Sequence, residues 1–510
     1  MDKSSGSSPS NQFRKFLPVL SIALLCLAIV PSFAFGYDLE GRVKEHTLDN
    51  GMKILVLERE GAPIFAAHMV FKVGSVDEVS GHDGAAHMLE HMLFKGTTTL
   101  GSKDWSREKP LFEKVIALGN ALDKLKRAGA DKEKIKIATA KLKKAQAEQK
   151  KYVVSESYSR IYSAAGGVGF NAGTSKDTTT YIIRLPANKF ELWAKIESDR
   201  MKDPVLREYF AERDVVMEER RRSYENSAGG KLYERYLASA FIGHPYGRPI
   251  IGWESDIALL PYPEVMRFLK AWYVPSNVVV AVVGAVKFED VVKTMEKYFG
   301  DIPAGKLPDR VITEEPRQGG ERRVDVEFDA SPTFIMGFHK PVYPNEDEIV
   351  FEVINYILSS GRTSRFDQEI VRKKKVAISI GAWTGPGDRY PNLFSISGDP
   401  VPPHTTKDVE DAVWEELEKL KTEPVSSDEL RKVINNVEAG FIRGLVSHYG
   451  MARLLTHYEV MTGDWRNITH EIEKIKAVTP DDIQRVAKKY FTHNNVTVAT
   501  LVKKKNEKTK

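Results

Sequence analysis

Residues 81–97 read GHDGAAHMLEHMLFKGT and combine two histidines and a glutamate at helical spacing. His87 and His91 are four residues apart, so on a helix their imidazoles project from one face about one turn apart. Glu90 lies on the same side, where its carboxylate can take a proton without being a ligand. The stretch therefore predicts a short helix that carries a metal centre.

Zinc is the metal that this pattern favours. It binds histidine and carboxylate, and a catalytic zinc site keeps three protein ligands and one open position. Zinc lowers the pKa of a water ligand from about 15.7 to about 7, and Glu90 would accept the proton as the oxygen attacks a carbonyl. His82 lies in the glycine-rich loop upstream, off the helical face, and is interpreted as a loop residue rather than a ligand.

A third ligand is expected from AERDVVMEERRR at residues 211–222. Glu212 and Glu219 are seven residues apart, two helical turns, so they share a face of the predicted helix. Such a pair could give one ligand and one carboxylate that orients a histidine. Spacing alone does not choose between Glu218 and Glu219. Without the histidine pair, a charged helix face would be the better interpretation.

Strand and helix patterns continue on both sides of the motif. Residues 44–60 predict two strands around the turn Asn50-Gly51, and the apolar run at 276–286 predicts a buried strand. The Lys-rich segment at about 103–151 predicts two solvated helices broken near Gly129. Acidic residues interleave with its lysines, and residues 113–151 carry no aromatic side chain, so we interpret it as a surface hairpin rather than a nucleic-acid arm.

The order of elements repeats in the second half of the chain. A strand, a loop and a helix ending in LFKG (93–96) are echoed by a strand, a loop and a helix ending in LSSG (358–361). We therefore predict an α+β fold of two similar halves, each an antiparallel sheet packed with helices. The predicted segments are a catalytic half at 37–300, interrupted by the hairpin insertion, a linker at 301–322 and a second half at 323–505.

The second half lacks the histidine motif. If LFKG and LSSG are equivalent, Glu352, Asn355 and Tyr356 take the places of the three motif residues. That set has one acidic group and no imidazole. The second half is therefore expected to be inactive and metal-free.

The N-terminus resembles a targeting signal. Arg14 and Lys15 precede an apolar run from residue 16 to 37, and Ser32 and Ala34 have the small-x-small spacing of a cleavage site. Residues 1–36 are predicted to be a signal peptide or, uncleaved, a membrane anchor. The protein is expected to be exported, periplasmic or otherwise extracytoplasmic, with membrane association only through this segment.

Composition limits the remaining choices. The chain of 510 residues is 42% hydrophobic and 28% charged, which excludes a disordered or polytopic membrane protein. A net charge of +5, with both signs mixed along the chain, gives no argument for nucleic acid. The only cysteine, Cys26, lies in the N-terminal apolar run, so any metal must be held by histidine and carboxylate.

The motifs together resemble the insulinase and pitrilysin family of zinc peptidases, which includes the mitochondrial processing peptidases. The HxxEH motif marks the inverzincins, and it is followed by GFNAGTSKDTTTY (169–181) and ERDVVMEERR (212–221). The resemblance covers about residues 39–502. It implies that His87 and His91 bind one zinc ion and that Glu90 is the base. It also implies Glu219 as the third ligand and Glu212 as the partner that orients a histidine.

The resemblance also implies how a substrate is held. The strand entered through Phe170, Asn171 and Ala172 resembles the edge strand that binds a peptide by β-augmentation. With its insertion, the chain resembles a bacterial exported branch of the family. Four similar domains enclose a chamber in the family and this chain has two, so a homodimer or a heterodimer with a related subunit is expected.

The function implied is that of a zinc metalloendopeptidase acting on peptides or unfolded polypeptide segments. The alternative is a non-catalytic or partner-dependent subunit of a peptidase-like complex, with a structural zinc. The complete motif favours the enzyme.

Overall fold

The structure is a computed structural model that describes residues 39–310 and 312–503. The predicted signal peptide or anchor, residues 1–36, lies outside the described residues. Within the described part, no helix is both long and apolar enough to cross a membrane. Within the described residues, the chain from Arg42 onward forms one compact unit. The predicted α+β class is confirmed, because two sheets and their surrounding helices make up this unit.

Eleven strands form the two sheets of the described chain. In chain order they are β1 (Val43–Thr47), β2 (Lys53–Glu58), β3 (Ile64–Phe71), β4 (Val168–Thr174), β5 (Thr179–Pro186), β6 (Val278–Gly284), β7 (Arg322–Glu327), β8 (Thr333–Lys340), β9 (Ala377–Gly385), β10 (Asn392–Pro400) and β11 (Val496–Val502).

The two sheets repeat one topology. The first has the order β1-β2-β6-β3-β5-β4 and the second β7-β11-β8-β10-β9, so the orders match strand for strand once β1 is set aside. Each sheet contains one parallel pair, β2 with β6 and β7 with β11, in addition to the predicted antiparallel pairs. The parallel pairs arise because the strand that comes last in the chain of each half, β6 or β11, inserts between two earlier strands. All seven residues of β6 are buried, which explains its continuous apolar sequence.

Sixteen α-helices surround the sheets in the described residues. They are α1 (Ala85–Met92), α2 (Trp105–Arg127), α3 (Lys132–Lys150), α4 (Ser157–Ala164), α5 (Phe190–Lys202), α6 (Tyr209–Arg220), α7 (Ala228–Ala240), α8 (Glu254–Ala258), α9 (Tyr262–Trp272), α10 (Phe288–Phe299), α11 (Asp347–Ser359), α12 (Thr406–Thr422), α13 (Ser427–Val446), α14 (His448–Thr462), α15 (Asn467–Ala477) and α16 (Pro480–Tyr490).

The Lys-rich segment forms the two predicted helices, α2 and α3, with a turn at Gly129 where φ is +60°. The prediction that both helices are solvated was wrong for one face of α2, which is buried against the main body. Glu108 and Asp123 of α2 are buried, because each meets a buried arginine of the main body.

The two sheets exchange helices, which the repeat alone did not predict. Helix α7 packs on the second sheet, where the Tyr236 hydroxyl lies 2.7 Å from Ser395 Oγ. Helix α14, from the second half of the sequence, packs on β3 and β6 of the first sheet. There Thr456 Oγ1 lies 2.7 Å from Nδ1 of His68. Reciprocal packing thus holds the two sheets together, in addition to the chain that joins them.

The segment predicted as a linker is irregular but closely packed. The Glu315 carboxylate accepts hydrogen bonds from three consecutive backbone N–H groups, at 3.1 Å from Ile242, 2.9 Å from Gly243 and 3.0 Å from His244. Nε of Arg310 lies 2.9 Å from a carboxylate oxygen of Asp77. The segment is therefore fixed both to the loop after α7 and to the turn after β3.

Candidate metal centre

Helix α1 carries the predicted motif and begins at a glycine that the position requires. Gly84 has φ +98°, and a Cβ added there would collide with the carbonyl oxygen of Ile251. The buried Glu78 carboxylate accepts hydrogen bonds from the backbone N–H groups of Gly84, at 3.0 Å, and Ala86, at 2.7 Å. Burial raises the pKa of Glu78 to about 8 despite these bonds. Both features fix where the helix starts and which way its histidines face.

Three predicted ligands come together between α1 and α6. His87, His91 and Glu219 each offer one ligand atom, and these atoms lie within 4.8 Å of one another. Nε2 of His87 lies 3.7 Å from one carboxylate oxygen of Glu219, and Nε2 of His91 lies 3.4 Å from the other. Two imidazole nitrogens and a carboxylate are a donor set that fits zinc and leaves a fourth position open.

The structure shows which of Glu218 and Glu219 faces the histidines, a choice that helical spacing left open. Glu219 faces the histidines from the last turn of α6. Glu218, about half exposed, pairs instead with Arg221. His82 lies in a turn 3.7 Å from Glu264 and is not part of the group.

Glu212 contacts the ring nitrogen of His91 that points away from Glu219. Its Oε1 lies 2.9 Å from Nδ1 of His91, and its Oε2 lies 2.5 Å from Nζ of Lys95. Burial acts to raise the pKa of Glu212, but its partners outweigh that effect and hold it below its usual value. A charged Glu212 fixes the orientation of the ring and directs Nε2 towards Glu219.

The two histidines have opposite protonation tendencies. Burial and the nearby charge of His91 lower the pKa of His87 to about 4, so its ring is neutral at pH 7. Burial also acts to lower the pKa of His91, but hydrogen bonds with Glu212 and Glu219 overcome it and raise the pKa to about 9. In the metal-free protein the centre therefore holds one proton that a cation must displace.

Glu90 lies beside this centre and reaches strand β4. Its Oε2 accepts a 2.6 Å hydrogen bond from the hydroxyl of Thr174, the last residue of β4. Burial raises the pKa of Glu90, and the bond from Thr174 partly opposes that shift. A carboxylate held in this way can accept a proton next to the open position.

The predicted substrate-binding residues lie along β4. Asn171 is exposed, whereas Phe170 and Ala172 are half-buried, and the Phe170 ring packs 5.2 Å from that of Phe94. Strand β4 is the last in its sheet, so among the described residues no strand pairs with its outer edge. The strand leads directly to Thr174 and thus to Glu90.

A cavity of about 440 Å³ opens beside Glu90 and His91. Phe94 and Tyr158 form part of its wall, and Glu156 and Glu208 add carboxylates. Both of these glutamates have left-handed backbone, with φ +56° and +57°. Such backbone is costly for a residue with a side chain and often accompanies functional sites.

The corresponding helix of the second half, α11, presents a different set of side chains. Glu352, Asn355 and Tyr356 line a separate cavity there. Burial and the neighbouring Glu471 raise the pKa of Glu352 to about 8. Helix α11 follows β8 as α1 follows β3, so these residues lie on the helix that corresponds to the one with the histidines.

Three residues of the centre were missed in the sequence. Lys95 is four residues after His91, so helical spacing could have suggested that it lies near the centre. Thr174 ends the GFNAGT stretch, but nothing in the pattern places its hydroxyl against Glu90. Glu78 precedes the motif by nine residues, and its contacts depend on the fold of the loop.

Similarity to known proteins agrees with this geometry. Residues 53–109 match the family model described as Insulinase (Peptidase family M16), and residues 260–437 match the model described as Peptidase M16 inactive domain. The chain is 27% identical over 465 residues to the zinc protease PqqE of Helicobacter pylori, covering 89% of this chain and 91% of that protein. It is 24% identical over 458 residues to an uncharacterized zinc protease of Streptomyces coelicolor, covering 88% and 87%.

Solved structures show the same fold. The crystal structure of a protease from Helicobacter pylori superimposes with a TM-score of 0.75 at 26% identity, covering 90% of this chain and 99% of that one. The periplasmic protease PqqL from Escherichia coli gives a TM-score of 0.67 at 15% identity, covering 90% and 47%. The two family models match separate halves of the chain. The match at 53–109 contains the histidine motif. The family matches, the relatives and the shared fold together support an insulinase-family, M16 member.

Proposed function

We propose that the protein is a zinc-dependent endopeptidase that hydrolyses peptides or unfolded polypeptide segments outside the cytoplasm. The observation that carries this proposal is the meeting of His87, His91 and Glu219 around one point, with the Glu90 carboxylate beside it. The names of its relatives as zinc proteases support the same reading.

The side chains divide the work between binding and proton transfer. When bound, zinc polarises a peptide carbonyl and lowers the pKa of water. Neutral His87, His91 held by Glu212, and Glu219 would hold the ion. Glu90 takes the proton from the attacking water and then gives it to the leaving amine. Thr174 keeps the Glu90 carboxylate in place through its hydroxyl.

The free edge of β4 supports an extended substrate. A peptide that adds a strand there runs past Thr174 and brings one of its carbonyl groups near Glu90. The side chain next to the cleaved bond would enter the cavity beside Phe94 and Tyr158. Most backbone N–H and C=O groups of a folded protein are already hydrogen-bonded, so unstructured segments are the expected substrates.

Location and assembly are parts of the same proposal. The N-terminal segment supports export, and the Escherichia coli protein of similar fold is titled a periplasmic protease. We expect a dimer of this chain, or a pair with a related subunit, to enclose the site. Light scattering after size-exclusion chromatography should give about twice the mass of one chain, and a fully active monomer would contradict this part of the proposal.

The variant Glu90→Gln tests the catalytic role. It should keep one zinc per chain and lose at least about 1,000-fold in kcat/KM on an unstructured fluorogenic peptide, since general base and nucleophile activation both depend on it. Glu218→Gln on α6 makes the same chemical change at an exposed position and should leave kcat/KM within about twofold. Full activity of Glu90→Gln would refute the mechanism.

A further inference from the structure

Two buried ion pairs join the hairpin α2–α3 to the helix that carries Glu212 and Glu219. Asp123 of α2 meets Arg213 of α6 in two bonds, at 2.7 and 2.9 Å, with both side chains almost wholly buried. Glu108 of α2 meets Arg207, just before α6, at 2.8 and 3.1 Å, with both side chains fully buried. The Asp123–Arg213 pair has two parallel N–H···O bonds, which fix orientation as well as distance, whereas Nε of Arg207 is shared between the two oxygens of Glu108.

The Arg207 guanidinium also reaches the chain that leaves α1. It donates to the carbonyl oxygens of Thr97, at 2.7 Å, and Leu100, at 3.2 Å. Gln149 of α3 donates to Glu108 at 3.0 Å, so the second helix of the hairpin holds the same carboxylate. One buried group thus connects the hairpin with the exit of α1 and the start of α6.

One face of α6 points to the histidines and another to the hairpin. Glu212 and Arg213 are neighbours in sequence and point in different directions, Glu212 to His91 and Arg213 to the hairpin. Phe210 packs so closely on Gly119 of α2 that a Cβ added to that glycine would overlap the ring. Any slide or rotation of α6 against the hairpin would therefore move Glu212 and Glu219 together.

Buried ion pairs are weak evidence for stability, because well-packed apolar residues in their place often serve as well or better. What they can supply is one defined geometry. We propose that the hairpin α2–α3 is a positioning element: it sets the place of α6 and so aligns Glu219 and Glu212 with the two histidines of α1. This inference rests on the proposed zinc site and assigns a role to the insertion in the family fold.

The test is the zinc affinity of Asp123→Asn, measured by competition with a chromogenic chelator on the full chain. The variant keeps the size of the side chain and removes its charge. We expect zinc binding to weaken by about 3- to 10-fold, less than the about 10- to 100-fold effect of losing a group bonded directly to a ligand, because Asp123 acts through Arg213. The control is Glu113→Gln, an exposed member of the ion pair with Lys109 on the same helix, which should bind zinc within about twofold of the unchanged protein.

A purely structural role predicts another outcome. In that case Asp123→Asn would lower the unfolding temperature of the zinc-free protein. The zinc affinity of the folded protein, measured well below that temperature, would equal that of the unchanged protein. That result for Asp123→Asn would overturn the inference. Asp123→Glu keeps the charge on a longer side chain, is the second variant should the first not fold, and should also weaken zinc binding. An unchanged protein that binds no zinc would instead refute the proposed function.

Discussion

Replacing Glu212 with glutamine tests how the centre is tuned. The carboxylate lies 2.9 Å from Nδ1 of His91 and is only 12% exposed, so the change removes a shielded charge next to a ligand. Losing such a partner typically weakens metal binding by about 10- to 100-fold, or about 1.4 to 2.8 kcal/mol. We expect Glu212→Gln to lose pH-independent zinc affinity within this range, a loss that weaker proton competition at His91 partly offsets at pH 7.

The same variant should change the pH dependence of binding. With its pKa raised to about 9, His91 is protonated in the zinc-free protein at neutral pH, and zinc must displace that proton. Affinity should therefore fall about tenfold for each pH unit lost, or about 30-fold from pH 7.5 to pH 6.0. In Glu212→Gln the pKa of His91 moves back towards 6.5, so the dependence between pH 7.5 and 6.5 should be shallower.

Both effects are measurable by chelator competition across this pH range. Glu218→Gln is the matched control, because Glu218 is an exposed glutamate on the same helix that pairs with Arg221. If Glu212→Gln bound zinc as tightly as the unchanged protein, with the same pH slope, the role assigned to this carboxylate would be wrong.

Two further changes test neighbouring features. Thr174→Val removes the hydroxyl that donates to Glu90 at 2.6 Å and should lower kcat/KM about tenfold with zinc affinity unchanged. Because that bond opposes the raised pKa of Glu90, the acid limb of the pH–rate profile should also move to higher pH; no shift would argue against Glu90 as the base. Gly84→Ala should lower the free energy of unfolding by about 2 to 4 kcal/mol, since backbone strain adds to a collision with the Ile251 carbonyl. Gly463→Ala, at φ +81° with no heavy atom within 4 Å of the added Cβ, should cost only the strain, about 1 to 2 kcal/mol, and urea unfolding of the two variants separates the contributions.

Local patterns in the sequence predicted much of the fold. The apolar run of β6 marked a buried strand, and Asn50-Gly51 marked the turn between β1 and β2. The parallel pairs and the exchange of α7 and α14 were not predictable in this way. They depend on where distant segments pack, and a periodic pattern gives the buried face of an element but not its partner.

The same distinction applies to the site. Helical spacing placed His87 and His91 on one face, because both belong to one helix. The choice between Glu218 and Glu219 depended on how α6 is rotated against α1, which spacing within α6 does not determine. Asp123 resembled its solvated neighbours in a Lys- and Glu-rich segment, and only its buried partner Arg213 distinguishes it.

The proposed zinc ion lies between α1 and α6, held by His87, His91 and Glu219. Anomalous diffraction recorded on both sides of the zinc absorption edge, from crystals of the purified protein, would test it most directly. We predict a single anomalous peak per chain with Nε2 of His87 and Nε2 of His91 at about 2.0 to 2.1 Å and a Glu219 oxygen at about 2.0 to 2.2 Å. A zinc-loaded crystal with no peak there, or with its peak bound by other side chains, would contradict the account.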